Sequence, residues 1–114
     1  MHESSLAKQI LATVLDRGAR EGAVRVRAVR GWIAETERLS VESITFHFRA
    51  LARGTIAEDA DLDLLVRHVE ARCVACGAVF LPDHHVLLCP RCGSTDGELL
   101  GRVGILVESM DVEG

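Results

Sequence analysis

The chain has 114 residues, of which 48% are hydrophobic and 4% aromatic, and its formal net charge is −4. That is enough apolar material for one ordinary small domain, or for one with a metal-held module attached, so disorder is not expected. The acidic balance and the absence of tyrosine argue against a broad basic nucleic-acid footprint and against a platform for stacking bases. Met1 to Arg20 contains no apolar stretch of signal-peptide length, and no segment approaches membrane-spanning length.

Leu6, Ile10, Leu11, Val14 and Leu15 lie at helical spacing, with Lys8, Gln9, Asp16 and Arg17 facing away. Ser4 or Ser5 is the expected cap and Gly18 the expected stop, which places Met1, His2 and Glu3 just before the first turn. After a turn over Gly18 to Gly22, Val24, Val26 and Ala28 alternate with Arg25, Arg27 and Val29, predicting a strand that runs on towards Ile33. Ser40 is a good N-cap for a second helix, with Val41, Ile44, Phe48 and Leu51 spaced three and four apart and Gly54 closing it. His47 in this helix reads as structural. Leu62, Leu64 and Val66 alternate with Asp61, Asp63 and Leu65, giving a second strand directed towards Cys73. His68, within it, also reads as structural.

All four cysteines fall in Cys73-Val74-Ala75-Cys76-Gly77 and Cys89-Pro90-Arg91-Cys92-Gly93, a C-x2-C-x12-C-x2-C pattern. Two residues between cysteines let both sulfurs of a turn face one point, and the glycine after each pair permits the left-handed backbone such a turn needs. Four thiolates from two turns form a closed tetrahedral shell suited to structural zinc, with iron in the same shell as the other chemical option. Zinc held by four thiolates would make the chain still more acidic. Four reduced cysteines in a metal pattern predict a cytoplasmic protein.

Between the cysteine pairs, Ala78 to Leu81 reads as a short strand, Pro82-Asp83-His84 as a turn, and Val86 to Leu88 as a return, a zinc-ribbon-like hairpin. His84 and His85 at its tip read as a polar turn, with an accessory ligand pair as the alternative. Val103 to Val112 forms a last extended segment, with Leu106, Met110 and Val112 on one face. The predicted fold is α+β: two helices packed on a small three-stranded sheet, with an inserted zinc-ribbon-like β-hairpin module. The expected division is a domain over residues 1–68, completed by a returning strand at 102–114, and a zinc module over 69–101. Both connections of the module continue into β-structure, which would couple its orientation to the main domain.

His2 gives the N-terminus a distinct chemistry. A free α-amine, a peptide nitrogen and an imidazole follow one another there. Ni(II) or Cu(II) can displace the peptide proton and close a five- and a six-membered ring, giving three in-plane nitrogen donors. The bland alternative is a solvent-exposed terminal histidine.

Met1-His2-Glu3-Ser4-Ser5-Leu6, the helix-strand-helix-strand body, Arg53-Gly54-Thr55-Ile56-Ala57-Glu58 and Cys89-Pro90-Arg91-Cys92-Gly93-Ser94 together resemble the HypA/HybF family. Those proteins are nickel metallochaperones of NiFe-hydrogenase maturation, and the resemblance covers essentially the whole chain. It implies nickel at His2 with Glu3 beside it, and zinc at Cys73, Cys76, Cys89 and Cys92; the chelate chemistry above offers the Met1 amine as a further nickel donor. It also implies a HypB-type GTPase partner and delivery to a hydrogenase large subunit, without nucleic-acid binding or membrane insertion. Homodimerisation and urease as a second client stay open.

Some family members carry an acidic residue before the second helix that approaches the nickel. Here Glu35, Glu37 and Glu42 are the candidates, and the sequence does not choose among them. Two other functions compete. A zinc-ribbon nucleic-acid or protein adaptor would be expected to have a basic hairpin, yet Gly77 to Leu88 contains no Lys or Arg. A rubredoxin-like electron carrier would hold iron at the four thiolates. No phosphate-binding glycine loop and no Gly-x-Ser-x-Gly motif points to an enzyme.

Overall fold

The computed structural model describes residues 2–83 and 86–114. The described residues form two helices and six strands: α1 (Glu3–Arg20), β1 (Arg25–Glu35), α2 (Val41–Ala52), β2 (Asp61–His68), β3 (Ala71–Cys73), β4 (Val79–Phe80), β5 (Gly97–Leu99) and β6 (Gly104–Glu113). One three-stranded sheet has the order β2-β1-β6 and the other β4-β3-β5. This is the expected α+β architecture. The described chain divides into two compact units. The first takes in the chain up to Trp32, Leu39–Leu65 and Ile105–Gly114; the second takes in Ile33–Arg38 and Val66–Gly104.

In the first unit α1 and α2 pack on one another. The buried stripe of α1 is Leu6, Ala7, Ile10, Leu11 and Val14, at the spacing that puts residues three and four apart on one face. It meets Ile44, Phe48 and Ala52 of α2, and Val26, Val29, Leu64 and Val107 from the strands complete the core. Glu3 in the first turn and Arg17 and Arg20 in the last complement the helix dipole.

Several local expectations shift. The cap of α1 is His2 rather than Ser4 or Ser5, so Glu3 is already helical. Gly18 does not end the helix. It is buried inside it, where a Cβ would come 3.0 Å from Ile56 Cδ1. Small size for close packing, rather than helix breaking, explains this glycine. The chain leaves the helix at Gly22, whose φ is 67°.

Arg17 does not face away, because its Nη1 donates to the Val107 carbonyl at 2.7 Å and ties the last turn of α1 to β6. In β1 the inward residues are Val26, Val29, Gly31 and Ile33, so parity changes by one residue around Ala28 and Val29 turns to the core. One extra residue in a strand has this effect, since alternate side chains point to opposite faces. In β6 the buried residue is Val107, and Leu106 is exposed. Arg30 and Asp111 pair across β1 and β6 through two hydrogen bonds of 3.0 and 3.3 Å.

In the second unit a small buried cluster gathers around the cysteines: Ala71, Cys73, Phe80 and Cys89, with Ala78 and Leu87 against it. Here β3 pairs antiparallel with β4, Ala71 opposite Phe80, and on its other edge with β5, Ala71 opposite Leu99. Among the described residues, the expected return at Val86 to Leu88 contributes a single bridge, between Asp83 and Val86. The third strand, Gly97–Leu99, is a glycine followed by two mostly exposed residues and carries no strand pattern in its sequence. Among the described residues, no helix is long and apolar enough to cross a membrane.

Candidate metal centres

Each cysteine pair lies in a turn of the same construction. The Gly77 N–H donates to the Cys73 carbonyl at 2.8 Å, and the Gly93 N–H to the Cys89 carbonyl at 2.9 Å. Both glycines have φ 77°, a value that side chains with a Cβ rarely adopt. The Cys73 N–H donates to Ala78 at 2.8 Å and the Cys89 N–H to Ser94 at 2.9 Å, so each turn is closed from both ends. Two matching turns face each other and bring four sulfurs together.

Cys73 Sγ lies 3.5 Å from Cys92 Sγ, Cys76 Sγ lies 3.7 Å from Cys89 Sγ, and all four sulfurs fall within 4.8 Å of one another. Sulfurs about 2.3 Å from a tetrahedral zinc stand about 3.8 Å apart, whereas a disulfide brings them to about 2.05 Å. The cysteines are free, and their spacing is that of a metal shell. Cys73 and Cys89 are buried, while Cys76 and Cys92 reach the surface.

The thiols are electrostatically unequal. The backbone N–H of Cys76 foremost holds the Cys73 thiol below its ordinary value, against the effect of burial. The backbone N–H of Cys92 does the same for Cys89, which falls to about 7. For Cys92 the Ser94 N–H pulls downward, but Cys73, burial, Cys76 and Cys89 together outweigh it and push the thiol up to about 12. Crowded thiolates repel a further negative charge. A cation at the centre removes that penalty, so the four-sulfur cluster fits a divalent ion.

The N-terminal site is built differently. His2 is exposed and is the N-cap of α1, with φ −78° and ψ 152° and no side-chain cap bond. Its carbonyl accepts the Leu6 N–H at 3.0 Å, while its own N–H stands outside the helical ladder. The next side chain, Glu3, reaches α2: its Oε2 accepts the Ser40 N–H at 2.5 Å. Ser40 caps α2 with its own Oγ, which accepts the Ser43 N–H at 3.2 Å. A capping box normally takes its acid from the third residue of the same helix. Position 43 is serine, and Glu3 supplies the carboxylate from the neighbouring helix instead. That pairing was not anticipated from the sequence, although a good N-cap lacking Glu or Gln three residues on was its one visible sign.

Of the three other glutamates, Glu42 lies exposed in the first turn of α2 and belongs to the same unit as His2. Glu35 belongs to the second unit and is buried, its Oε1 accepting the Thr36 N–H at 2.9 Å and the Thr36 hydroxyl at 3.3 Å. Glu37 is also in the second unit. His68 bonds through Nε2 to the Pro82 carbonyl at 2.7 Å, consistent with a structural role. His47 packs edge-on to Phe46 at 5.6 Å. Met1, His84 and His85 lie outside the described residues.

The family model for "Hydrogenase/urease nickel incorporation, metallochaperone, hypA" matches residues 1–112. A hydrogenase maturation factor HypA of Thermococcus kodakarensis is 33% identical, the alignment taking in 99% of this chain and 96% of the relative. The HypA of Prosthecochloris aestuarii is also 33% identical, over 99% of this chain and 100% of the relative. The solution structure of the Ni metallochaperone HypA from Helicobacter pylori is 22% identical and covers 98% of this chain and 97% of its own length, with a TM-score of 0.63. That likeness shows a shared fold.

Proposed function

The chain belongs to the HypA family of hydrogenase-maturation metallochaperones, and from that premise we propose that it binds Ni(II) at His2 and hands it on for NiFe-hydrogenase maturation. Its part is binding and delivery, without catalysis of its own. The observation that carries this reading is the presentation of His2: exposed, at the head of α1, with its peptide N–H outside the helix. An exposed imidazole can be reached by an ion and by a recipient protein. The Met1 amine and the His2 peptide nitrogen complete a three-nitrogen donor set that suits square-planar nickel.

Cys73, Cys76, Cys89 and Cys92 would hold zinc in a closed shell whose role is structural. Zinc would supply folding free energy there, because the buried cluster around the cysteines is too small to hold the hairpin without it. The module over 69–101 and the domain over 1–68 with 102–114 would accordingly divide the work, one held by metal and one carrying it. A HypB-type GTPase would supply the nucleotide chemistry, a hydrogenase large subunit would be the recipient, and the site of action would be the cytoplasm.

The test is metal analysis of purified protein before and after nickel titration. Wild type should hold one zinc and take up one nickel. His2→Ala should keep its zinc and lose the nickel. Undiminished nickel uptake by His2→Ala would exclude the N-terminal site.

A further inference from the structure

Glu3 adjoins the proposed nickel ligand, and its sequence position alone would make it a ligand too. Its carboxylate is committed elsewhere, since Oε2 accepts the backbone N–H of Ser40. We propose that Glu3 is a positioning residue for nickel binding, acting by capping α2 from the first turn of α1 rather than by giving an oxygen to the ion. The inference rests on nickel binding at His2.

Three observations support it. The head of α2 needs an acceptor for the Ser40 N–H, and its third residue, Ser43, has no carboxylate to offer. Ser40 Oγ is already used, accepting from Ser43. Glu3 is half-buried while His2 is exposed, so the two neighbouring side chains occupy different surroundings.

The mechanical consequence is direct. The His2 side chain makes no cap hydrogen bond that would fix it. The residue beside it ties the first turn to another element through its side chain. Holding Glu3 against α2 fixes the backbone on which the His2 peptide nitrogen and imidazole are carried. Pre-fixed donors lose less freedom on binding, and groups that orient ligands commonly account for about 10- to 100-fold in metal affinity.

The experiment compares nickel affinity and backbone amide exchange at Ser40 in wild type, Glu3→Gln, Glu3→Ala and His2→Ala, each zinc-loaded. A glutamine oxygen can still accept the Ser40 N–H but is a much poorer nickel ligand than a carboxylate. Glu3→Gln should keep Ser40 protected and bind nickel within about threefold of wild type, whereas Glu3→Ala should expose the Ser40 amide and weaken nickel about 10- to 100-fold. In wild type the Ser40 amide should stay protected when nickel is added.

If Glu3→Gln binds nickel as poorly as Glu3→Ala, or if nickel strips protection from Ser40, Glu3 is a ligand and the proposal is overturned. Wild-type affinity in Glu3→Ala overturns it as well. If instead His2→Ala keeps its nickel, the premise about the nickel site is what fails. Ser40 exchange in Glu3→Ala would then still report whether the cap exists.

Discussion

Gly31 lies against the main chain of Leu106, so close that a Cβ on Gly31 would stand 2.5 Å from the Leu106 carbonyl oxygen. The obstacle is backbone in the partner strand, with no flexible side-chain end that could swing aside. Gly31 is buried in β1, on the inward side that also carries Val29 and Ile33. Gly31→Ala must therefore push β6 away from β1 or bend one of them. Overpacking of this kind costs about 3 kcal/mol. For a chain of this size that corresponds to a fall in Tm of roughly 10 °C. Thermal unfolding followed by circular dichroism measures it, and an unchanged Tm would show that the two strands are not held at this separation.

Zinc removal should act on one part of the protein. Among the described residues, the buried cluster around the cysteines is Ala71, Cys73, Phe80 and Cys89, and two of these four are proposed zinc ligands. Without the ion, burial of Ala71 and Phe80 is left to hold three very short strands. The first unit has its own core from α1, α2 and the strands. Chelation, or Cys89→Ser, should therefore raise amide exchange and protease cleavage between Val66 and Gly104 while α1 and α2 stay protected. Normal zinc stoichiometry and unchanged protease resistance in Cys89→Ser would contradict the assignment.

Proton release should accompany zinc loading, and the unequal thiols set its direction. At pH 8 Cys89, at about 7, is largely ionised, while Cys92, at about 12, still carries its proton. Metal ligation needs the thiolate, so the ion must displace at least the Cys92 proton. As pH falls through 7, Cys89 takes up a proton as well, and zinc must compete for both. Apparent zinc affinity should therefore rise from pH 6 to pH 8, with protons released on binding in weakly buffered solution. An affinity flat across that range, with no acid released, would place the ion elsewhere.

The sequence was legible where one residue type has one use. The paired cysteines, each pair followed by glycine, foretold two turns converging on one ion, and the two turns are superposable in their hydrogen bonds. Spacing located both helices, and Ser40 was correctly read as the cap of α2. What stayed hidden depends on contacts between distant segments. Gly18 looks like a stop in the sequence, yet it is a gap filled by Ile56. The pattern of β1 read as simple alternation from Val24 to Val29, yet parity changes around Ala28. Arg17 read as solvated, yet it reaches a carbonyl ninety positions later. The bond from Glu3 to Ser40 is of the same kind, since nothing in local sequence says that an acid in one helix completes the cap of another.

The last prediction concerns the terminal amine. If nickel is held by a chelate that includes the Met1 α-amine, residues placed before Met1 must abolish it. They turn the amine into an amide and remove the donor that closes the five-membered ring with the His2 peptide nitrogen. The imidazole survives, but the fused rings it shares with that amine do not. An uncleaved N-terminal extension should therefore impair nickel binding nearly as much as His2→Ala. The fold should tolerate it, because His2 caps α1 without a side-chain bond and the tie to α2 starts from Glu3, on the far side of His2 from the extension. Zinc content and Ser40 protection should be unchanged, which separates this effect from loss of the Glu3 cap. Cleaving the extension to restore Met1 should restore affinity. A tagged protein that binds one nickel with undiminished affinity, while His2→Ala does not, would keep the imidazole as ligand and remove the amine from the donor set.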